Sequence, residues 1–207
     1  MSNRQVYLYG ASGHGKVIRD IAVKCNIDIV AFVDDNPKSS TLLNIPILNT
    51  DYLVDINNIE FVISVGNNRI RKIISEKLNK IGNAIVDPSA LISDFVTIEN
   101  GTVVMPSVVI NSDTNIGAHV ILNTGAIVEH DCNIGDFAHI SPNATITGGV
   151  SIGEGTHIGA GAIVIPGVKI GKWVTVGAGA VIINDIPDYT TIVGNPGRII
   201  KQKEKNG

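Results

Sequence analysis

The chain of 207 residues is poor in aromatic side chains, which make up 4% of it with a single tryptophan. Large rings therefore cannot fill a core, which must be built from aliphatic and small side chains packed where backbones come close. Charge of one sign is also missing. The 16 basic and 19 acidic residues leave a formal −3 with no long like-charged run, which removes the electrostatic ground for binding nucleic acid. Two cysteines, Cys25 and Cys132, are too few for a disulfide framework or a cysteine-rich zinc site. Every apolar run is interrupted by Gly, Asn, Asp or Pro before the roughly 18 residues of a membrane-spanning helix, so no membrane insertion is expected. The start carries no signal-peptide pattern, and the expected location is the cytoplasm. What the chain does have is 44% hydrophobic content against 17% charged, and 22 glycines, a composition for a folded chain of repetitive architecture.

The repeat is explicit. Counting by sixes from Val86 gives Ile92, Ile98, Val104, Ile110, Ile116, Leu122, Val128, Ile134, Ile140, Ile146, Ile152, Ile158, Val164, Ile170, Val176 and Ile182, all aliphatic. Two residues before each lies a second series, from Ala84 and Ala90 through Cys132 to Ala180, made only of small or β-branched side chains. If aliphatics filled about a third of positions by chance, such a run would occur about once in a hundred million trials. The spacing predicts a short strand and a turn every six residues, with one large and one small inward side chain per unit, three units closing one triangular coil of a solenoid. Residues n and n+18 then lie in neighbouring coils about 4.8 Å apart. Cys132 falls in a small inward slot and is expected to be packed and inert.

The first part of the chain reads differently. Residues 4–9 form an apolar run, followed by Gly10-Ala11-Ser12-Gly13-His14-Gly15-Lys16 and a helical pattern through Val17, Ile18, Ile21 and Ala22. A second strand is expected at Ile29 to Val33, ending in Asp34-Asp35, and a third at Phe61 to Val65, ending in Gly66-Asn67-Asn68. A helix with Ile70, Ile73, Ile74 and Leu78 follows. Strands alternating with helices imply a small parallel α/β sheet, Rossmann-like, over residues 1–82, joined near Gly82 to Pro88 to the solenoid of residues 83–207. The glycine loop is suited to a phosphate at the helix start, and the acidic pair to a ribose or base. The spacing Gly-x-x-Gly-x-Gly is equally that of a tight turn, and Asp34 and Asp35 can equally cap the turn at Asn36-Pro37.

In the solenoid register His119, His130, His139 and His157 project outward, onto faces or corners. His130 stands out because it lies in Glu129-His130-Asp131, where carboxylates raise the proton affinity of an imidazole and orient it, as a general base requires. The register places Gly148 one coil above it and Ser112 one coil below, so the space over the ring is open. A solvated corner histidine in an acidic turn has the same pattern. His139 and His157, eighteen apart, should stack, but a zinc site needs at least three converging ligands, and no metal is expected. Aliphatics on the outer faces favour side-by-side association into a ring.

Taken together, Tyr9-Gly10-Ala11-Ser12-Gly13-His14-Gly15, Asp34-Asp35, Gly66-Asn67-Asn68, Glu129-His130-Asp131 and Val193-Gly194-Asn195-Pro196-Gly197-Arg198 resemble the sialic acid and bacillosamine-type sugar acetyltransferases, and the resemblance covers essentially the whole chain. It implies a left-handed parallel β-helix of hexapeptide repeats behind the α/β domain. It also implies a homotrimer, acetyl-CoA as co-substrate in the groove between adjacent β-helices, and a nucleotide-linked sugar, in the bacillosamine branch a UDP-4-amino sugar, held by the amino-terminal domain. Carried over by position, His130 becomes the general base and Asp131 the carboxylate that raises its basicity, where close relatives often have Glu. Ser12, Gly13, His14, Asp34, Asp35 and Gly66 become sugar-nucleotide contacts, and His139, Gly148, Ala160 and Ala178 line the acetyl-CoA groove. The implied activity is N-acetylation of a nucleotide-linked amino sugar in a glycan-building route. The rivals are O-acetylation of a sugar or sialic acid hydroxyl and, more distantly, a γ-carbonic-anhydrase-like metalloprotein.

Overall fold

The computed structural model describes residues 4–52 and 60–202. The first unit is a five-stranded sheet flanked by two helices. In chain order these are β1 (Arg4–Tyr9), α1 (Gly13–Lys24), β2 (Ile27–Asp34), β3 (Thr41–Leu42), β4 (Ile45–Asn49), β5 (Glu60–Ile63) and α2 (Asn68–Ser75). The spatial order is β3-β4-β2-β1-β5, parallel except for the β3/β4 hairpin. The interior position of β1, between β2 and β5, explains its apolar run, since Val6, Leu8 and Tyr9 are all buried. The β3/β4 hairpin was not anticipated. Its turn is Leu43-Asn44 with φ of 50° and 62°, a primed geometry carried without the Asn-Gly or Asp-Gly pair that marks such turns in a sequence.

Helix α2 corrects the reading of its own periodicity. The isoleucines that give its helical pattern do not all mark the packed face: Ile70 and Ile73 are 48% and 53% exposed, and the buried residues are Asn68, Arg71 and Ile74. Spacings of three carry a polar pair inward because the surface they meet is a row of backbone carbonyls, described below.

From Ile85 onward the chain winds as a parallel β-solenoid. Each two-residue strand pairs with those eighteen residues before and after it, as in Val103↔Ile121↔His139↔His157↔Thr175. The strands stack into sheets of eight, six and five, the three walls of a prism. The inward aliphatics from Val104 to Ile182 form one continuous core with the small slots Ala126, Cys132, Ala138, Ala144, Ala162 and Ala180. Cys132 is 1% exposed, and burial pushes its thiol up.

The three walls differ outside. On the eight-stranded wall, Val103 and Ile121 pack with Met105 against Leu8, Ile18, Ile21, Phe32 and Val62 of the α/β unit, so this wall is covered. On the five-stranded wall the outward residues are Thr97, Asn115, Asn133, Ser151 and Lys169, a polar surface. On the six-stranded wall they are Leu91, Val109, Ile127, Thr145, Ile163 and Val181, an apolar stripe with Leu91 68% and Ile163 42% exposed.

The corners hold a third register that the aliphatic count does not reveal. Every sixth residue from Gly101 to Gly179 has φ between 55° and 76°. Glycine occupies half of these positions, and Asp113, His119, Asp131 and Asn143 belong to the types that tolerate the left-handed region. Among the described residues the glycines thus serve corners as well as close packing.

Candidate active site

His130 sits at the corner where the apolar wall turns into the polar one, between the strands Ile127–Val128 and Asn133–Ile134. The next residue, Asp131, takes the corner's left-handed φ of 59°, and its Oδ2 lies 2.7 Å from His130 Nδ1. With Nδ1–H donating to that carboxylate, the neutral ring presents the lone pair of Nε2 outward. The hydrogen bond it donates to Asp131, then the nearby charges of Asp131 and Glu129, hold the imidazole above its usual pKa. Glu129 is itself held by Asn111 Nδ2 at 2.7 Å. Cys132 turns inward and donates to the Thr147 carbonyl at 3.2 Å, so its thiol does not face His130.

The coil above this ring is bare. A Cβ at Gly148 would lie 2.7 Å from His130 Cε1 and 2.8 Å from Nε2, while Gly149 would meet only the backbone of Gly167 at 3.9 Å, and Gly167 nothing within 4 Å. The hydrogen at Gly148 therefore lets the imidazole lie against the corner. Because Gly148 has no positive φ, alanine is compatible with its backbone, and the G148A variant is expected to keep the thermal stability of the parent while displacing the ring. We expect its turnover to fall at least about tenfold, the order of effect that misplacing a reacting group brings. Steady-state thiol release beside a melting curve checks this.

The carboxyl edge of the α/β sheet gathers Ser12, Gly13, His14, Asp34, Asp35 and Gly66. Gly10 and Gly15 are explained by packing, since a Cβ there would lie 2.8 Å from Val65 Cγ2 and 2.7 Å from the Gly10 carbonyl oxygen respectively. Gly13 and Gly66 are different: a Cβ at either meets nothing within 4 Å. Ser12 precedes α1 without using its hydroxyl as a cap, and the first turn of that helix holds no acid. An unfilled helix start beside two glycines facing open space suits an anionic group. Asp34 takes the turn-capping role, accepting from the backbone N–H of Ala11 and of Asn36, each at 3.0 Å. Asp35 is exposed and accepts the Tyr9 hydroxyl at 2.5 Å, which together with burial pushes the phenol up.

The histidines of the covered wall lie on a face or corner as the register places them but differ in exposure, with His157 exposed, His139 half-buried and His119 closed over. His119 occupies a corner but is only 6% exposed, because α2 and Gly101 close over it and its ring stacks on Phe137 at 5.0 Å. His139 and His157 stack as expected, at 4.8 Å and 7°. Their Nε2 atoms are engaged by Asn123 Nδ2 at 3.1 Å and Ser141 Oγ at 2.8 Å. Asn123 Oδ1 accepts from Thr124 N, so its amide nitrogen faces His139, whose proton therefore resides on Nδ1. Burial, reinforced by neighbouring positive charge, lowers His14 and His119 to about 4 and His139 to about 3, so these rings are neutral at pH 7. Among the described residues no group of three or more His, Cys, Asp or Glu comes together to hold a metal.

The four residues expected along the acetyl-CoA groove do not share one surface of a single chain. His139 faces the α/β unit, and Gly148 lies over His130. Ala160 and Ala178 are exposed at the corner on the other side of the apolar wall, beside Gly161 and Gly179, over which there is open space. The apolar stripe separates this small-residue rail from the corner of His130.

Missed altogether was Arg71. Only 1% exposed, it lies under the covered wall with its guanidinium bonded to carbonyls of both units. An arginine three residues after an asparagine on a helix reads as a solvated face, and nothing in the chain alone distinguishes it from one.

Comparison with known proteins adds a second line. Residues 5–78 match the PglD N-terminal domain, and residues 149–184 match the bacterial transferase hexapeptide, six repeats. UDP-N-acetylbacillosamine N-acetyltransferase of Bacillus subtilis (strain 168) is 42% identical over 109 residues, a stretch covering 48% of this chain and 50% of that enzyme. The chain thus matches about half the length of this curated relative. A histidine-to-asparagine mutant of perosamine N-acetyltransferase from Caulobacter crescentus, in complex with CoA and GDP-perosamine, superposes with a TM-score of 0.91 at 35% identity over 96% of this chain and 97% of that one. The acetyltransferase domain of PglB from Neisseria gonorrhoeae FA1090, in complex with acetyl coenzyme A, gives 0.88 at 36% identity over 96% and 100%.

Proposed function

The chain belongs to the bacillosamine-type nucleotide-sugar N-acetyltransferases, and from that premise we propose that it transfers the acetyl group of acetyl-CoA to the amine of a nucleotide-linked amino sugar, with His130 as general base. The observation that carries this reading is the His130–Asp131 pair, whose free Nε2 opens onto a corner cleared by Gly148, Gly149 and Gly167. The neutral amine attacks the thioester carbonyl, the C–N bond forms and the C–S bond breaks. The proton leaving nitrogen passes to His130 Nε2, and the imidazolium returns it to the departing thiolate. No acyl-enzyme is required, and Cys132, buried and inward, is not placed to form one. Asp131 orients the ring and favours its protonated form as the proton arrives. The open start of α1 and the spaces over Gly13 and Gly66 support a nucleotide diphosphate at the sheet edge, with Ser12, His14 and Asp35 around it. Asp34 would support that site from behind, through Ala11.

The sugar site and His130 are completed by neighbouring copies in this reading. The apolar stripe has His130 along one edge and the Ala160–Ala178 rail along the other. A cyclic trimer closing on that stripe sets one copy's His130 beside the next copy's rail, a head-to-tail contact that closes a ring. Acetyl-CoA would lie in the seam. Two free thiols, one buried and one half-buried, accord with a cytoplasmic location; among the described residues no helix is long and apolar enough to cross a membrane.

Introducing a charge at Ile163 tests the seam. We expect I163E to run as a monomer in light scattering and to lose acetyl transfer, whereas K169E on the polar wall stays assembled and active. An active, assembled I163E protein would place the contact elsewhere. For the reaction itself, acetyl-CoA is offered with matched 4-amino and 4-hydroxy nucleotide sugars and free thiol is followed. Transfer to the hydroxyl alone would move the assignment to O-acetylation.

A further inference from the structure

Helix α2 runs along the corner where the polar wall turns into the covered one, and its residues engage successive coils there. Arg71 Nε donates to the His119 carbonyl at 2.8 Å and Nη2 to that of Phe137, one coil on, at 2.7 Å. Asn68 Nδ2 donates to the Gly155 carbonyl at 3.0 Å in the next coil, and the Arg69 guanidinium lies 4.7 Å from the Trp173 ring in the fourth. Lys72 adds a 2.5 Å ion pair with Glu154. Arg71 also works in the other direction, with Nη1 donating to the Val65 carbonyl at 3.0 Å and to that of Gly66 at 3.3 Å. Asn68 Oδ1 takes a further bond from Nη2 at 2.9 Å.

We propose that Arg71 is a positioning residue for acetyl transfer, a strut that ties the Gly66 loop of the sugar-nucleotide site to the Phe137–Ala138 turn that carries His139. The role rests on the acetyltransferase reading above. A guanidinium is required because its planar fork reaches both sides at once, whereas an ammonium presents its donors from a single point. Each of these Arg71 acceptors is a carbonyl oxygen, backbone or amide, and the five donor contacts to them offset the burial of the charge. Burial accordingly lowers Arg71 itself to about 9, which leaves it cationic at pH 7. Its charge also faces His14, His119, His139 and His157 and adds to the burial that holds them neutral.

The test compares the full-length wild type with Arg71→Lys and Arg71→Met in two measurements. In hydrogen exchange followed by mass spectrometry, both variants should exchange at least about tenfold faster in peptides covering 64–68 and 136–140, with the solenoid away from these and from the His119 corner, which Arg71 also holds, unchanged. In steady-state assays with GDP-perosamine and a UDP-4-amino sugar as acceptors, KM for the accepted sugar should rise at least about tenfold while KM for acetyl-CoA moves less than about twofold. Arg71→Lys should regain melting temperature relative to Arg71→Met without regaining the sugar KM, a split that a purely structural role would not produce. Wild-type exchange at both segments, a wild-type sugar KM in Arg71→Lys, or equal rises in both KM values would overturn the strut. Failure of the wild type to acetylate any amino sugar would instead sink the acetyltransferase reading, and the exchange measurement still judges the strut.

Discussion

Replacing His130 by alanine is expected to cut acetyl transfer by roughly 10²- to 10⁴-fold, the range for loss of a general base. The side chain is 62% exposed and its ring bonds only to Asp131, so the fold and the melting temperature should not change. Near-normal thiol release by H130A would remove the imidazole from the mechanism. The pH profile supplies a second check. The base must be neutral to accept the amine proton, so kcat/KM falls as pH drops through the His130 pKa, which Asp131 raises above the ordinary imidazole value. Asp131→Asn keeps a residue tolerated at the left-handed corner but removes the anion, and its acid limb should move to lower pH. An unchanged limb would mean that another group titrates.

The largest loss of stability is expected from truncating the middle of the solenoid core. Leu122 is fully buried between Val104 and Ile140 of the adjacent coils, themselves fully buried. Leucine to alanine at such a site costs about 2–5 kcal/mol, the transfer of the lost carbons plus the cavity that remains. Here the upper part of the range is expected, because strands hydrogen-bonded on both sides cannot collapse into the void. Lys169→Ala on the polar wall should stay within about 0.5 kcal/mol. Urea unfolding followed by far-ultraviolet dichroism distinguishes the two, and a neutral L122A would mean that the coil relaxes freely.

The solenoid was legible because its signal is redundant: each coil repeats the same inward pair, so an error at one position is outvoted by the others. The strands β1, β2 and β5 were legible from their apolar runs, to within two residues at each end. The β3/β4 hairpin was not, since Leu43-Asn44 adopts a conformation usually announced by glycine. Of the candidate site, the His130–Asp131 contact followed from adjacency, and the clearance by Gly148 from the eighteen-residue register. Asp34 was ambiguous by composition, since a carboxylate that braces Ala11 and Asn36 looks the same in a sequence as one that meets a ribose.

By itself the sequence determined which side chains point into the prism, which residues lie above one another, and that a histidine beside an aspartate stands at an uncrowded corner. These are consequences of local periodicity, where each hexad repeats the geometry of the last. Only the tertiary structure decided which wall the α/β unit covers, and with it the burial of His119 and the neutral state of His139. It also decided that Arg71 points inward. Those outcomes depend on docking two surfaces distant in the chain, where unpaired carbonyls on one select a buried guanidinium on the other, and no periodic pattern encodes such a match.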